Sequence, residues 1–336
     1  MTVRRETLAL VETVRNAREA IDSVDTCVVT IERDGIVAYG EGTPTGYDGV
    51  TLDDVVGALE AEADTVIGRE LSEPERILDR VERWDAPGGA RMALDGALHD
   101  WIGKSAGQPT WKMLGAPQTL NRPTVYTIGI AEVGDAVRSV RNAPSVGAFK
   151  VKVGAPDCIE VLEAIRGVTA LPLRIDANEA WDLATARALT PRLRALGVQL
   201  IEQPFPATAI DDYGRYRQLP DRLPVFVDEG CTDAASVPDV RAVADGIVVK
   251  LCKAGGIRGA RRVMEAGRQL GLGVMLGCMC ESELAISQAA QVASLADRID
   301  LDGHLFLRDS PFRGLGLDGG RIVLGDAPGL GVVPSM

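Results

Sequence analysis

Residues 173–229 read LRIDANEAWDLATARALTPRLRALGVQLIEQPFPATAIDDYGRYRQLPDRLPVFVDE, in which three short apolar runs each end in an acidic residue. These residues are Asp176, Glu202 and Asp228, and their spacing is regular, with 202 − 176 = 26 and 228 − 202 = 26. Such a span accommodates one strand and one helix, so the repeat predicts consecutive strand–helix units of a parallel sheet. Because the carboxyl ends of parallel barrel strands share one mouth, we expect the three carboxylates at a common site.

The alternation of strands and helices extends in both directions from this stretch, beginning at Thr124. Eight predicted strands with seven intervening helices favour a parallel α/β barrel over an open doubly wound sheet, which is the structural alternative. The predicted strands are VYTIGI (125–130), AFKVKV (148–153), LRID (173–176), QLIEQ (199–203), VFVDE (225–229), GIVVK (246–250), VML (274–276) and IDLD (299–302).

Residues 1–118 have a different pattern, which is typical of an α+β unit. Asp34-Gly35 is a hairpin signal between two predicted strands, and apolar residues at three- and four-residue intervals predict helices farther on. We expect this unit to be completed by the tail 306–336 and to precede a barrel at 119–305. The predicted elements are strands at Arg5–Leu10, Thr26–Ile31, Ile36–Tyr39 and Arg321–Leu324, and helices at 51–66, 74–84 and 88–105.

The three strand-end carboxylates predict a metal site. Brought together, they would repel one another strongly unless a cation neutralised them. Hard oxygen ligands with room for water and substrate favour Mg²⁺. A single acid at a strand end is usually a helix cap, but three in consecutive units are hard to explain in that way.

Lysines on the flanking strands add acid–base chemistry. Lys150 and Lys152 alternate with apolar residues in FKVKVG, so both face one side of the strand, and we expect that side to be the barrel interior. Lys250 ends the sixth strand, on the other side of the carboxylates. Two lysines so placed address opposite faces of one substrate. Neighbouring positive charge from Lys150 and the metal is expected to favour the neutral, basic form of Lys152.

At this point the chain resembles the enolase superfamily, in its muconate-lactonizing subgroup. The resemblance is carried by IDANEAW (175–181), IEQP (201–204), VDE (227–229), KLCKAGG (250–256) and the helix GGARMALDGALHDW (88–101). It implies a modified (β/α)7β barrel whose mouth is closed by an N-terminal α+β capping domain. It also implies one Mg²⁺ per subunit on Asp176, Glu202 and Asp228, with Lys152 and Lys250 as acid/base catalysts.

Strands seven and eight indicate the branch of the superfamily. MLGCMCES (275–282) has no histidine, unlike the mandelate-racemase branch, and is similar to the dipeptide epimerases, those acting on L-Ala-D/L-Glu among them. Asp300 and Asp302 are similar to the Asp-x-Asp with which those enzymes hold the substrate's α-ammonium. The resemblance further implies Lys150, Thr127 and Cys278 as substrate-binding residues. We therefore expect a dipeptide substrate and a 1,1-proton transfer beside its carboxylate.

Two other functions share most of these residues. The N-succinylamino acid racemases and o-succinylbenzoate synthases have the same lysines and metal ligands, but their substrates lack the free ammonium that Asp300 and Asp302 would bind. A non-catalytic, metal-binding relative is the second alternative. The sequence departs from its relatives at Gly230, where serine is frequent, and in segment 11–23, which is expected to contact the distal side chain of the substrate.

Composition excludes several classes of partner. The formal net charge of −12 argues against nucleic acid, and we expect the basic run Arg258–Arg268 to be a solvated helix face. No apolar run approaches the ~20 residues that a membrane span needs. The six cysteines are scattered and predict reduced thiols, and we expect a cytoplasmic homo-oligomer. A GxGxxG match at 314–319 precedes a predicted strand rather than a helix, so it does not indicate a dinucleotide site.

Overall fold

A three-stranded antiparallel sheet packed on helices forms the N-terminal region of the computed structural model, which describes residues 1–67, 73–154 and 158–335. Its core contains Val29, Leu59 and Leu94, all fully buried. Its elements are β1 (Thr2–Arg15), β2 (Ala20–Arg33), β3 (Ile36–Gly42), α1 (Leu52–Ile67), α2 (Pro74–Arg83), α3 (Gly88–Ser105) and α4 (Thr110–Met113).

The predicted hairpin at Asp34-Gly35 is confirmed. Both residues have positive φ, 52° and 75°, as the tight turn between β2 and β3 requires. The predicted strands were too short, however, because β1 and β2 continue beyond their apolar residues to a tip at 16–19. Most of the added residues are polar and exposed, so hydrophobicity alone did not mark them as strand.

Eight parallel strands follow one another in sequence order, each hydrogen-bonded to the next within the described chain. Consecutive parallel strands joined by helices form a barrel, so the predicted fold class is confirmed. The strands are β4 (Val125–Ile128), β5 (Ala148–Lys152), β6 (Leu173–Asp176), β7 (Val198–Glu202), β8 (Val225–Val227), β9 (Gly246–Val249), β10 (Gly273–Leu276) and β11 (Arg298–Ile299).

The last and first barrel strands are joined through side chains. The Leu301 N–H donates to Thr124 Oγ1 at 2.9 Å, and the Thr127 N–H donates to Asp302 Oδ2 at 2.6 Å. The eighth strand was predicted at 299–302 but ends at Ile299. The Asp300 N–H still donates to the Leu276 carbonyl of β10, but the Leu301 N–H donates to the Thr124 side chain instead of continuing a ladder. A 3₁₀ turn, Gly303–Phe306, follows it in place of an eighth helix.

Helices cover the outside of the barrel. Most of the basic run on α11 is exposed as predicted, but Arg258 is not part of a solvated face. Its guanidinium pairs with Glu75 and with Asp79 of α2, which ties the barrel to the N-terminal region. The helices are α5 (Val133–Asn142), α6 (Cys158–Val168), α7 (Leu183–Ala195), α8 (Ile210–Arg217), α9 (Val237–Val243), α10 (Leu251–Ala254), α11 (Ile257–Gln269) and α12 (Glu283–Ala290).

The amino-terminal end of the barrel interior is filled by side chains around Phe226, whose ring lies against the first residues of β9 and β10, Gly246 and Gly273. Leu200, Val248 and Met275 form one buried cluster with this ring. A Cβ on Gly246 would lie 2.3 Å from the Phe226 ring, so the ring occupies space that only glycine leaves open there. The closed floor places ligand chemistry at the opposite, carboxyl-terminal mouth.

The tail returns to both parts of the chain. The GxGxxG match, 314–319, contains β13 and ends in the turn before β14, so a strand follows it as predicted, with no helix after it among the described residues. The described helices include none long and apolar enough to cross a membrane. No disulfide bond joins any of the cysteines that the structure describes. The tail strands are β12 (Phe312–Arg313), β13 (Gly316–Asp318), β14 (Arg321–Val323) and β15 (Val333–Pro334).

Candidate active site

Three buried carboxylates stand side by side at the barrel mouth. Asp176 ends β6, Glu202 ends β7, and Asp228 follows β8 directly. Their exposures are 1%, 1% and 2%, and Asp176 and Glu202 are register partners. Strand alternation places each of them inward, two residues beyond an interior position of its own strand. Charges so deeply buried need partners, and these partners are lysines.

Lys150 lies at the centre of the cluster. Its ammonium is 2.8 Å from Glu202 Oε1, 2.8 Å from Asp300 Oδ2 and 3.1 Å from Asp176 Oδ2. Burial alone would lower the pKa of Lys150, but the three carboxylates outweigh it and raise that pKa well above its ordinary value. Lys150 is therefore a positive charge that three carboxylates hold at the centre of the cluster.

Lys152 and Lys250 flank the carboxylates on opposite sides, as predicted from their strands. The Lys152 ammonium lies 2.7 Å from Asp176 Oδ2, and that of Lys250 lies 2.8 Å from Asp228 Oδ2. The Lys250 ammonium also contacts the sulfur of Met279 at 3.6 Å. Each lysine is thus held at the edge of the cluster, Lys152 beside Asp176 and Lys250 beside Asp228.

A fourth lysine, Lys253, holds the other oxygen of Asp228. Its ammonium donates to Asp228 Oδ1 at 2.6 Å and to the Val248 carbonyl at 3.1 Å, in the short helix α10. Burial would raise the pKa of Asp228, but Lys250 and Lys253 together lower it. Lys253 belongs to the KLCKAGG motif, but the sequence analysis gave it no role. Its position three residues after Lys250, in a turn leading back to the same strand end, could have indicated that it lies at this site.

The cluster fits a hard divalent cation. Glu202 Oε2 is buried and has no hydrogen-bond partner, so it is free to bind an ion. Burial and the charge of Asp176 raise the pKa of Glu202 to about 8, although Lys150 acts in the opposite direction. Among the described residues, no three acidic, histidine or cysteine side chains, as they are placed with the lysines between them, form a group that could hold a metal ion. The lysine ammoniums contact the nearest carboxylate oxygens, where a bound dication would compete with them.

The two acids after the eighth strand have different environments. Asp300 is neutralised by Lys150, whereas Asp302 accepts the Thr127 N–H and forms no ion pair with a lysine of the described residues. Burial and the charge of Asp300 raise the pKa of Asp302 to about 7. Cys278 lies close to the residue that follows Asp302, since a Cβ on Gly303 would be 3.2 Å from its sulfur, and both acids raise the pKa of its thiol further after burial. The structure therefore brings Thr127, Cys278 and Asp302 together at one side of the mouth.

The tip of the β1–β2 hairpin reaches the opposite side of the mouth. Arg18 Nη2 lies 2.7 Å from Glu229 Oε1, and Nη1 lies 3.6 Å from Glu179 Oε2. The guanidinium also covers the ring of Tyr47, 5.4 Å from its centroid. Arg18 belongs to segment 11–23. The sequence did not predict that Arg18 would reach the mouth, because the place of a hairpin tip depends on how the whole sheet packs.

Sequence comparisons place this arrangement among known proteins. The mandelate racemase / muconate lactonizing enzyme N-terminal domain matches residues 1–115, and the enolase C-terminal domain-like family matches residues 132–336. The chain is 36% identical over 313 residues to the L-Ala-D/L-Glu epimerase of Bacteroides thetaiotaomicron, covering 91% of this chain and 80% of the relative.

Solved structures give the same grouping. The substrate-liganded L-Ala-D/L-Glu epimerase of Bacillus subtilis superposes with a TM-score of 0.90 at 28% identity, covering 100% of this chain and 98% of the other. The dipeptide epimerase of Methylococcus capsulatus, solved with Mg and the dipeptide L-Arg-D-Lys, superposes with a TM-score of 0.90 at 31% identity, covering 99% and 98%.

Proposed function

The chain belongs to the mandelate racemase / muconate lactonizing enzyme family of the enolase superfamily, and on this premise we propose that it is a Mg²⁺-dependent dipeptide epimerase. The observation that carries the proposal is the pair of ammonium groups, Lys152 and Lys250, on opposite sides of three buried carboxylates. Inversion at one carbon needs one group on each face. The substrate class is a dipeptide such as L-Ala-D/L-Glu.

The two lysines exchange one proton each with the substrate. In one direction the neutral amine of one lysine takes the α-proton, and the C–H electron pair moves into the adjacent carboxylate as an enolate. The ammonium of the other lysine then delivers a proton to the opposite face of the same carbon. Proton count and charge balance, and the reverse reaction exchanges the roles. No organic cofactor is needed.

Asp176, Glu202 and Asp228 are the residues that we propose to hold one Mg²⁺ per subunit. When bound, Mg²⁺ supplies Lewis-acid stabilisation of the charge that develops on the substrate carboxylate. Lys150 keeps Glu202 and Asp300 in place and adds a fixed positive charge beneath the site. The free Glu202 oxygen supports the assignment.

Asp302 supports a dipeptide over an N-succinylamino acid. Its carboxylate lies at the mouth without a lysine partner, so it is suited to the α-ammonium of a dipeptide. A succinyl group would bring a second negative charge against it. We assign Thr127 and Cys278 to the walls of this subsite. The racemase or o-succinylbenzoate synthase reaction is the alternative that the substrate test must exclude.

We also propose the division of labour within the chain. Residues 119–305 form the catalytic barrel, and residues 1–118 with the tail 306–336 form the capping domain. The contact of Arg18 with Glu229 supports a cap that covers the mouth. We propose a cytoplasmic location, with which described cysteines that form no disulfide bond are consistent. Assembly into a homo-oligomer stays a prediction.

A dipeptide library tests the function. Each dipeptide is incubated in D₂O with the enzyme, with Mg²⁺ or with EDTA, and deuterium at the α-carbon is measured by mass spectrometry. We expect Mg²⁺-dependent uptake with a subset of dipeptides and formation of the epimer. Exchange confined to N-succinylamino acids would establish the racemase alternative, and exchange undiminished by EDTA would exclude the metal assignment.

A further inference from the structure

Glu41 is a fully buried carboxylate at the junction between β3 and the barrel. Its exposure is 0%, although it belongs to the small N-terminal sheet and no reaction step uses it. The backbone N–H and carbonyl of Glu41 are both bonded from the barrel side by Gln288 of α12. The Glu41 N–H donates to Gln288 Oε1 at 2.7 Å, and the Glu41 carbonyl accepts from Gln288 Nε2 at 3.1 Å. The backbone that carries this carboxylate is therefore rigidly held.

The carboxylate itself binds Ser282, a residue of the barrel. Glu41 Oε1 accepts the Ser282 N–H at 3.2 Å, and Oε2 accepts the Ser282 hydroxyl. Ser282 is fully buried, and its hydroxyl oxygen in turn accepts the Leu284 N–H at 3.1 Å as the N-cap of α12. Glu41 thus fixes, from another part of the chain, the residue at which the loop after β10 becomes a helix.

That loop, residues 277–282, is in contact with the acid–base machinery. Its Met279 sulfur lies 3.6 Å from the Lys250 ammonium. The Met279 N–H donates to Glu281 Oε2 at 3.3 Å, next to the residue that Glu41 holds. Gly303 packs so closely under Met279 that a Cβ there would lie 1.9 Å from the Met279 carbonyl oxygen. The loop is therefore fixed at two points, by Glu41 at its end and by Gly303 beneath Met279. Lys152 contacts Asp176 from β5 on the other side of the cluster; its charge reaches Cys280 of the loop, but among the described residues no hydrogen bond joins Lys152 to the loop.

We propose that Glu41 is a positioning residue for one of the two bases: through Ser282 it holds loop 277–282, and with it Met279, so that Lys250 is aimed at the substrate. The inference rests on the proposed two-base function. Because the chain of contacts from Glu41 ends at Lys250, loss of the carboxylate slows proton transfer on one face of the α-carbon. A residue that only stabilised the fold would affect both faces equally.

The test isolates the two faces. In a Lys152→Ala background Lys250 is the only base, and in a Lys250→Ala background Lys152 is the only base, so each exchanges the α-proton of one epimer in D₂O. Glu41→Ala is added to each. We expect exchange by Lys250 to slow about tenfold or more, since small misplacements of a reacting group have large effects, and exchange by Lys152 to change less than about twofold. Glu41→Gln, which keeps an acceptor for the Ser282 N–H, should restore most of the lost rate.

Two further variants keep the result interpretable. Ser282→Ala removes only the hydroxyl, and it should produce the same one-sided loss, in smaller measure, even where Glu41→Ala folds poorly. Asp100→Ala is the matched control, because Asp100 is another buried carboxylate that binds β3, at the Tyr39 N–H, but has no contact with loop 277–282 among the described residues. It should lower the melting temperature without distinguishing the faces.

The outcomes separate the two levels of inference. If the single lysine variants do not each exchange a single epimer, the two-base function is wrong. If they do, and Glu41→Ala and Ser282→Ala slow both backgrounds equally or neither, then the function stands and the positioning role of Glu41 is overturned.

Discussion

The Lys150 ammonium lies 2.8 Å from Asp300 Oδ2, so one acid of the Asp-x-Asp pair is neutralised from inside the barrel. Asp302, two residues later, has no such partner among the residues that the structure describes, and it accepts the Thr127 N–H of the first strand. The two residues therefore have separable roles, although they look equivalent in sequence. Asp302 is suited to bind a substrate cation, and Asp300 supports Lys150.

We expect Asp302→Asn to lower kcat/KM for a dipeptide such as L-Ala-L-Glu by about 30-fold to several thousand-fold, as when a buried charge partner of roughly 2–5 kcal/mol is lost. An N-succinylamino acid should be a poor substrate of the wild type and should be less affected by the change. Asp300→Asn should lower kcat for all substrates alike, because it disturbs Lys150. Steady-state kinetics with both substrates decide this; an undiminished dipeptide reaction in Asp302→Asn would refute the subsite.

The metal ligands give a second prediction. Asp176→Asn, Glu202→Gln and Asp228→Asn should each abolish epimerisation and weaken Mg²⁺ binding, because each removes one of three charged oxygen ligands. Titration calorimetry measures the binding, and circular dichroism checks that the fold persists. Glu160→Gln, on the exposed part of α6, is the control and should bind Mg²⁺ as the wild type does. Full activity of EDTA-treated protein would contradict the assignment.

The lysines give a third. Lys152→Ala and Lys250→Ala should each abolish epimerisation, since inversion requires both faces to be served. Each variant should still exchange the α-proton of one epimer, and the two variants should prefer opposite epimers. Lys104→Ala, in α3 and remote from the mouth, should behave as the wild type in the same D₂O assay. Near-wild-type epimerisation by either active-site variant would exclude the two-base scheme.

Arg18 carries a fourth prediction, about the distal residue of the substrate. Its guanidinium lies at the mouth, 2.7 Å from Glu229 Oε1, with about a third of the side chain exposed (32%). A distal carboxylate would pair with it, so Arg18→Met should lower kcat/KM for L-Ala-L-Glu about tenfold more than for L-Ala-L-Leu. Arg33→Met makes the same charge change at the far end of β2 and should affect both dipeptides equally. Equal losses in Arg18→Met would remove Arg18 from substrate recognition.

The sequence was sufficient for the features that repeat along the chain. The 26-residue spacing located Asp176, Glu202 and Asp228 at one mouth because strand ends in a parallel barrel are equivalent positions. It was not sufficient where the site depends on a contact between distant parts of the chain. Glu41 and Ser282 are 241 residues apart, and no periodicity indicates that they meet.

The difference between Asp300 and Asp302 was also beyond sequence reasoning. It arises because the strand ends at Ile299. The Leu301 N–H, between the two acids, then donates to Thr124, and the two carboxylates lie in different environments. Strand alternation places both on one side and thus predicts equivalence. Hydrophobic pattern likewise missed the ends of β1 and β2, where a strand continues through polar residues because its partner strand does.

The last prediction concerns stability and pH at Glu41. Burial raises its pKa to about 7, and neighbouring Glu281 adds to this while bonds from Ser282 and Ala285 oppose it. Between the ordinary value, about 4.5, and about 7, the folded protein therefore holds a proton that the unfolded chain has released. Folding stability falls as pH rises through this window, by roughly 3 kcal/mol at most from this group, and stays lower above it.

Glu41→Gln cannot ionise, so its melting temperature should exceed that of the wild type at pH 8 and should show no such gain at pH 5. Glu32→Gln, an exposed acid on β2, is the matched control and should leave the pH dependence unchanged. Calorimetric melting of the three proteins at both pH values decides the matter: parallel pH dependence in wild type and Glu41→Gln would mean that Glu41 is not the group whose ionisation destabilises the junction between cap and barrel.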